Sequence, residues 1–324
     1  MSLSTVRIDV HLTSTDLHAD LRADVVAGLT REPKELPPKW FYDETGCELF
    51  EEIMRLPEYY PTRREREILY SEAATIARLA GADTLVELGS GSSEKTLLLL
   101  DGLWYGGTLR RYVPLDVSES WLRSLSTTVA ERYPGIEIHG VVGDFERHVP
   151  LLPLGERSLI AFLGGTIGNM PPPRRRAFLG TLARLMRPGD TLLLGADLVK
   201  PIGRLEAAYD DEAGVTAAFN LNVLNVLNRE LDADFDSQLF RHVARFDREH
   251  EWIEMLLRSR VDQRVSLRAL NLAVEFAEGE EMRTEISAKF RRERIESELT
   301  QVGLELVRYW TDSRGDFSLS LAVR

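Results

Sequence analysis

A chain of 324 residues with a formal net charge of −12, 44% apolar and 28% charged, has the composition of a folded protein with room for two domains. The negative charge repels a phosphate backbone or an anionic bilayer, so nucleic acid and membrane are excluded as main partners and a small molecule is expected. Cys47 is the single cysteine, which leaves no internal disulfide and no thiolate zinc site and points to a reducing compartment, the cytoplasm.

The residues up to about Asp20 mix charges with short apolar groups and lack the long uncharged core of a signal peptide or membrane span. Leu17, Leu21, Val25 and Leu29 line one face of a helix, which is expected to open the fold. Leu36-Pro37-Pro38-Lys39-Trp40-Phe41-Tyr42-Asp43 follows, then a short helix from about Glu48 to Met54, then Leu56-Pro57-Glu58-Tyr59-Tyr60-Pro61-Thr62. The prolines stiffen two aromatic patches. Trp40, Phe41 and Tyr60 read equally well as pocket walls or as core.

Helical spacing resumes from Arg64 to Ala80 and leads into Thr84-Leu85-Val86-Glu87-Leu88-Gly89-Ser90-Gly91-Ser92-Ser93-Glu94-Lys95. An apolar strand that stops at an acid, passes through two glycines and enters a helix is the pattern of a nucleotide-cofactor loop, whose helix N–H groups face the ligand. Gly89 and Gly91 supply only G-x-G, and Glu94 stands where a dinucleotide fingerprint has its third glycine, so an ordinary glycine turn also fits. A second strand, Arg111 to Asp116, ends in an acid about 27 residues after Gly89, near the distance expected of a carboxylate that accepts from ribose hydroxyls. A third, Ile136 to Val142, is followed by Asp144 and Phe145, an acceptor for an adenine amino group beside a ring that can pack on the base.

The fourth apolar run, Ser158 to Leu163, empties into Gly164-Gly165-Thr166-Ile167-Gly168-Asn169, and a helix from the prolines at 171–173 leads to a fifth strand, Thr191 to Leu194. Strands alternating with helices predict a doubly wound parallel sheet, with Gly89, Asp116, Asp144 and Asn169 all at the carboxyl ends where such sheets bind ligands. After Asp197 the pattern changes. A helix through Phe219, Val223, Leu227 and Leu231 is followed by two expected antiparallel strands, Trp252 to Arg260 and Val261 to Phe276, and by a strand from Met282 to Phe290. Alternation on that last strand puts Glu285, Ser287 and Lys289 on one face, either solvated or facing a ligand. A charged helix from Arg291 to Val302 and a terminal strand from Phe317 to Val323 complete the chain.

The motifs exclude several chemistries. His250-Glu251 is followed by Glu254 where a second zinc histidine would be needed, so no metal is expected; there is no G-x-S-x-G elbow and no P-loop spacing around Lys95. A dinucleotide oxidoreductase and an S-adenosylmethionine-dependent methyltransferase remain. The missing third glycine, the Asp144-Phe145 pair and the terminal strand favour the methyltransferase.

Six segments in order, Leu36 to Asp43, Leu56 to Thr62, Thr84 to Lys95, Gly164 to Asn169, Ala208 to Asp211 and Gly279 to Ser287, resemble those of the bacterial histidine Nα-methyltransferases of ergothioneine biosynthesis. The likeness runs over nearly the whole chain after about Leu17. The departures are Gly165 in place of an expected serine, and Ser92 beside Ser93 instead of threonine and serine.

The resemblance implies an α/β fold, a Rossmann-like class I methyltransferase sheet with a second, discontinuous α+β substrate-binding domain. The methyltransferase domain would take residues 64–198 and 290–324, the substrate domain residues 11–63 and 199–289. It further implies that Gly89 and Lys95 meet the methionine part of S-adenosylmethionine, Asp116 the ribose, and Asp144 with Phe145 the adenine. Tyr59, Asn169 and Tyr209, with Gly164 in the same set, would meet the carboxylate of L-histidine. Glu285 and Ser287 would read its imidazole, with Tyr42 nearby as a proton relay. Three methylations would give hercynine, with S-adenosylhomocysteine released each time, and the enzyme is expected to act as a monomer. A relative specific for another amino acid such as tryptophan, or a binding protein without turnover, are the alternatives; an apolar residue at Glu285 would suit an indole better.

Overall fold

The computed structural model describes residues 4–91 and 93–324, so Ser92 lies outside the described residues. In chain order the first elements are strand β1 (Thr5–Val10), helix α1 (Ser14–Leu29) and helix α2 (Glu44–Arg55). Next come α3 (Pro61–Ala80), β2 (Thr84–Leu88), α4 (Ser93–Tyr105), β3 (Arg111–Asp116), α5 (Glu119–Arg132) and β4 (Glu137–Val142). The short α6 (Phe145–His148), β5 (Ser158–Phe162), α7 (Pro172–Leu185) and β6 (Thr191–Asp197) follow. Helices α8 (Ile202–Ala207) and α9 (Val215–Leu231) lead to β7 (Phe240–Asp247), β8 (Trp252–Ser259), β9 (Gln263–Leu267), β10 (Leu272–Phe276) and β11 (Glu281–Ala288). Helix α10 (Arg292–Gln301) and strands β12 (Glu305–Thr311) and β13 (Phe317–Val323) complete the order.

Contacts divide the chain into two compact units. The first comprises the residues up to Thr13, Pro61–Leu198 and Phe290–Arg324; the second comprises Ser14–Tyr60 and Val199–Lys289.

The first unit is built on one sheet in the order β1-β4-β3-β2-β5-β6-β13-β12. From β1 to β6 every neighbour is parallel, whereas β13 runs antiparallel to both β6 and β12. Strands β2, β5 and β6 are buried along their whole length, which is why they read as unbroken apolar runs. Helix α3 lays Ile68, Leu69, Ile76 and Ala80 into a core shared with Leu85, Leu100, Tyr112, Leu159 and Leu319. The chain crosses from one half of the sheet to the other between β2 and β5, and the ends of those two strands flank the position where open α/β sheets bind ligands.

The second unit packs α2 and α9 with the antiparallel sheet β11-β8-β7 and the hairpin β9-β10 around Leu21, Phe41, Phe219, Leu227, Ile253 and Phe276. Phe41 at 0% exposure and Tyr60 at 4% are core, which settles two of the aromatics that the sequence left open. Asp43 caps α2 by accepting from the Gly46 N–H at 2.8 Å, and it also receives Asn222 at 2.7 Å and Arg229 at 2.8 Å. Gly46 has no alternative there: a Cβ would lie 1.6 Å from the Phe41 carbonyl oxygen.

Three expectations are corrected, and one alternative left open is decided. The fold opens on a strand, β1, and not on a helix; β1 is mostly exposed and held by its pairing with β4, a contact that local periodicity does not register. Strands β7 and β12 were not expected, and both carry charged residues within a half-buried edge pattern. The expected single strand from Val261 to Phe276 is the hairpin β9-β10, turned by residues 268–270 and by Asn271 at φ 50°. The polar row on β11 is not solvated, because residues from Thr284 to Ala288 are all buried.

Candidate functional site

In the first unit, Gly89 leaves β2 at φ 75°, and among the described residues, chain neighbours aside, no atom lies within 4 Å of a Cβ built on it or on Gly91. The loop is pinned from behind: the Gly89 N–H donates to the Leu115 carbonyl at 2.9 Å, and the Trp121 indole N–H donates to the Ser90 carbonyl at 2.7 Å. Ser90 Oγ is buried and has no hydrogen-bond partner among the described residues. An open glycine cradle beside an orphaned hydroxyl fits a polar ligand held by backbone and hydroxyl together.

The acids follow at neighbouring strand ends. Asp116 ends β3 and accepts the Ser118 N–H at 3.0 Å. Burial pushes its carboxyl up against the N–H groups of Ser118, Val117 and Ser90, so it gains from further donors such as ribose hydroxyls. Asp144 caps α6 by accepting from the Glu146 N–H at 2.8 Å, while its own N–H donates to His148 Nδ1 at 2.9 Å. Phe145 packs edge-on to Phe162 at 5.3 Å and Phe178 at 5.8 Å, which fixes its ring.

Two residues that sequence reasoning missed hold this region. Glu65, fully buried on α3, pairs with Lys95 Nζ at 2.6 Å and accepts the Gly164 N–H at 2.8 Å, tying α4 to the loop after β5. The only sequence signal was a carboxylate three and four residues before Ile68 and Leu69, on the apolar face of the helix. Glu87, at the end of β2, accepts from Thr96 Oγ1 and from the Tyr112 hydroxyl at 2.6 Å, and burial pushes its carboxyl up. After β5, Gly164 and Gly165 take φ 77° and 71°, so glycine is the comfortable residue where serine was expected. Asn169 ends the helical turn Thr166–Asn169 partly exposed, and its amide makes no hydrogen bond among the described residues.

The second unit gathers Tyr42, Tyr59, Tyr209, Glu285 and Ser287. Tyr209, on the turn after α8, has its ring 6.3 Å from that of Tyr59, and its hydroxyl lies 2.7 Å from Ser287 Oγ. Lys289, at 0% exposure, donates to the Tyr209 hydroxyl at 2.9 Å and to Ser287 Oγ at 2.8 Å. Glu285 follows a register shift in β11 and is 9% exposed. Among the described residues no hydrogen bond or ion pair reaches its carboxylate, and burial pushes it up to about 7, with Lys289 pulling the other way. Tyr42 packs edge-on to Phe50 and Phe219, each at 5.5 Å. Desolvation, and after it the charge of Glu285, holds its hydroxyl well above the usual tyrosine range; with 43% of the residue exposed, the Glu285 charge is the firmer cause. The bulge beside Glu285 is held by Thr284, which donates to Asn220 Oδ1 at 2.6 Å.

A parallel sheet of this order, with an antiparallel strand slotted between its sixth strand and the edge and acids at successive strand ends, defines a class I S-adenosylmethionine-dependent methyltransferase. Residues 21–324 match the family model described as histidine-specific methyltransferase, SAM-dependent, and the chain belongs to that family. The histidine N-alpha-methyltransferase of Mycolicibacterium smegmatis is 56% identical over 99% of this chain and 100% of its own length. The protein of the same name from Mycobacterium tuberculosis is 56% identical over 98% of this chain and 99% of its own. The ergothioneine biosynthesis protein 1 of Neurospora crassa is 33% identical over 60% of this chain and 23% of its own length.

Proposed function

We propose that the protein methylates the α-amine of L-histidine three times, ending at hercynine, as a step of ergothioneine biosynthesis. We propose further that it acts in the cytoplasm, as a monomer, on this small molecule and without a nucleic-acid or membrane partner. Among the described residues no helix is long and apolar enough to cross a membrane. The observation that carries the reading is Glu285: a buried carboxylate with no hydrogen-bond or ion-pair partner among the described residues, two residues along its strand from Ser287, whose hydroxyl meets that of Tyr209. A neutral imidazole presents one N–H donor and one bare nitrogen acceptor, so a carboxylate and a hydroxyl together satisfy both; an indole has only the donor.

Gly89, Lys95, Asp116, Asp144 and Phe145 would hold S-adenosylmethionine, with Ser90 Oγ as a further donor. The cofactor supplies a methyl group activated by its sulfonium. Tyr59, Tyr209, Gly164 and Asn169 would meet the amino acid's carboxylate through neutral donors. Orienting the amine is the main service of these residues, since a reacting pair held at near-attack distance gains most of its rate from position. The amine must also lose a proton before each methylation. A tyrosine held above its usual range stays protonated, so Tyr42 would accept a proton only while passing its own onward, as a relay to water and not as a base.

The test is incubation with S-adenosylmethionine and each amino acid in turn, read by mass. Trimethylated histidine as the preferred product is expected; tryptophan as the preferred product, or no turnover of histidine, overturns the reading.

A further inference from the structure

Strand β11 carries one residue too many opposite β8. Arg283 pairs with Leu256 and Glu285 with Met255, so Thr284 is a bulge with no position opposite it. That extra residue decides which face Glu285 occupies. Before the bulge, Glu281 and Arg283 alternate onto a charged face, where Arg245 pairs with Glu254 at 2.8 Å and with Glu281 at 3.0 Å. After it, Glu285 and Ser287 stand opposite Met255 and Ile253, two residues of the core. A one-residue slip that removed the bulge would send Glu285 to the face of Arg283 and bring Thr284 and Ile286 to the core face in place of Glu285 and Ser287. Hydrophobic matching alone favours that slip, because it takes a carboxylate away from the core face and adds an isoleucine.

Asn220, on α9 and at 0% exposure, opposes it. The Leu256 carbonyl only accepts, so the Asn220 amide turns its nitrogen to that oxygen at 3.2 Å and gives its second N–H to His242 Nδ1 at 2.8 Å. The amide oxygen is thereby left for Thr284, whose hydroxyl donates to it at 2.6 Å and lies 3.0 Å from the Met255 carbonyl. A slip would carry Thr284 about 3.3 Å along β8, more than a hydrogen bond tolerates. We propose that Asn220 and Thr284 are positioning residues for ring recognition: their hydrogen bond holds the bulge, and the bulge keeps Glu285 on the ligand face of β11. This rests on the histidine reading above, since Glu285 is the group positioned.

The test is calorimetry of histidine binding to the full chain in the presence of S-adenosylhomocysteine. Thr284→Val keeps the shape and removes the hydroxyl, and should weaken histidine by about tenfold, whereas Thr284→Ser should stay close to the wild type. Added to Glu285→Ala, Thr284→Val should cost nothing further, because a residue that acts through Glu285 then has nothing to position. Added to Asn220→Ala it should again cost nothing further, because the hydroxyl acts through the amide. Multiplicative losses in either pair, a Thr284→Ser variant as weak as Thr284→Val, or full affinity in Thr284→Val would overturn the inference while the histidine reading stands. A Glu285→Ala variant that binds histidine as tightly as the wild type would overturn the histidine reading, and this inference with it. Should Thr284→Val fail to fold, Thr284→Ala enters the same two cycles with the same expectation.

Discussion

Replacing Glu285 by glutamine separates what its carboxylate does for the fold from what it does for the ligand. Burial raises this carboxyl from 4.5 to about 7, so between those two values the folded chain binds more protons than the unfolded one. Stability therefore falls as pH rises through that window, and the cost, fully present at pH 8 and absent below pH 4.5, is about 3 kcal/mol. Glu285→Gln removes the titration while keeping the shape. Hydrogen exchange of the β11 amides should be about 100-fold slower in the variant at pH 8 and close to wild type at pH 4, up to the limit set by global unfolding. Histidine binding should move in the opposite direction, weakening by about 10- to 100-fold at pH 8 as the charged acceptor is lost. In the wild type, histidine affinity should fall as the pH drops through about 7 and Glu285 takes up its proton. Equal exchange at pH 8, or unchanged histidine affinity in the variant, would refute the reasoning.

Three more perturbations test other parts of the structure. Asp116→Ala should weaken S-adenosylmethionine binding by about tenfold or more through loss of the acceptor for the ribose; full affinity by calorimetry would break the ribose assignment. Glu65→Ala strands Lys95 and the Gly164 N–H and should cost about 3 kcal/mol, read as a lower urea midpoint, whereas a neutral result would show that the pair is dispensable. Gly46→Ala forces a Cβ into the Phe41 carbonyl and should lower the melting temperature and histidine affinity together, because the displaced turn carries Tyr42; wild-type values for both would show that the turn yields freely.

The cofactor half of the chain was legible because its information is local. The central strands of the parallel sheet are buried on both faces, so Leu85 to Leu88 or Ser158 to Phe162 stand out as apolar runs, and the ligand-facing groups come directly after such strands at Gly89, Asp116 and Asp144. Strand β1 was illegible for the converse reason: its partner β4 is more than a hundred residues away and its own faces are mostly wet. Glu65 and Lys289 were hidden differently. A charged residue at a helix or strand position looks the same whether it meets solvent or a buried partner, and only the folded contacts show that Glu65 meets Lys95 and that Lys289 meets two hydroxyls. The substrate residues emerged through resemblance, since Tyr59, Tyr209 and Glu285 are scattered over two segments that no spacing rule connects.

The chain passes between its two units at four places, after Thr13, Tyr60, Leu198 and Lys289. Neither segment of the second unit supplies its core alone, because α2 comes from the first segment, α9 from the second, and both feed one core. Recombination that exchanges a single stretch between relatives would pair mismatched halves of that core. New amino-acid specificities on this scaffold should therefore arise by point substitution within the pocket, or by a coordinated transplant at all four junctions, and not by shuffling one contiguous module.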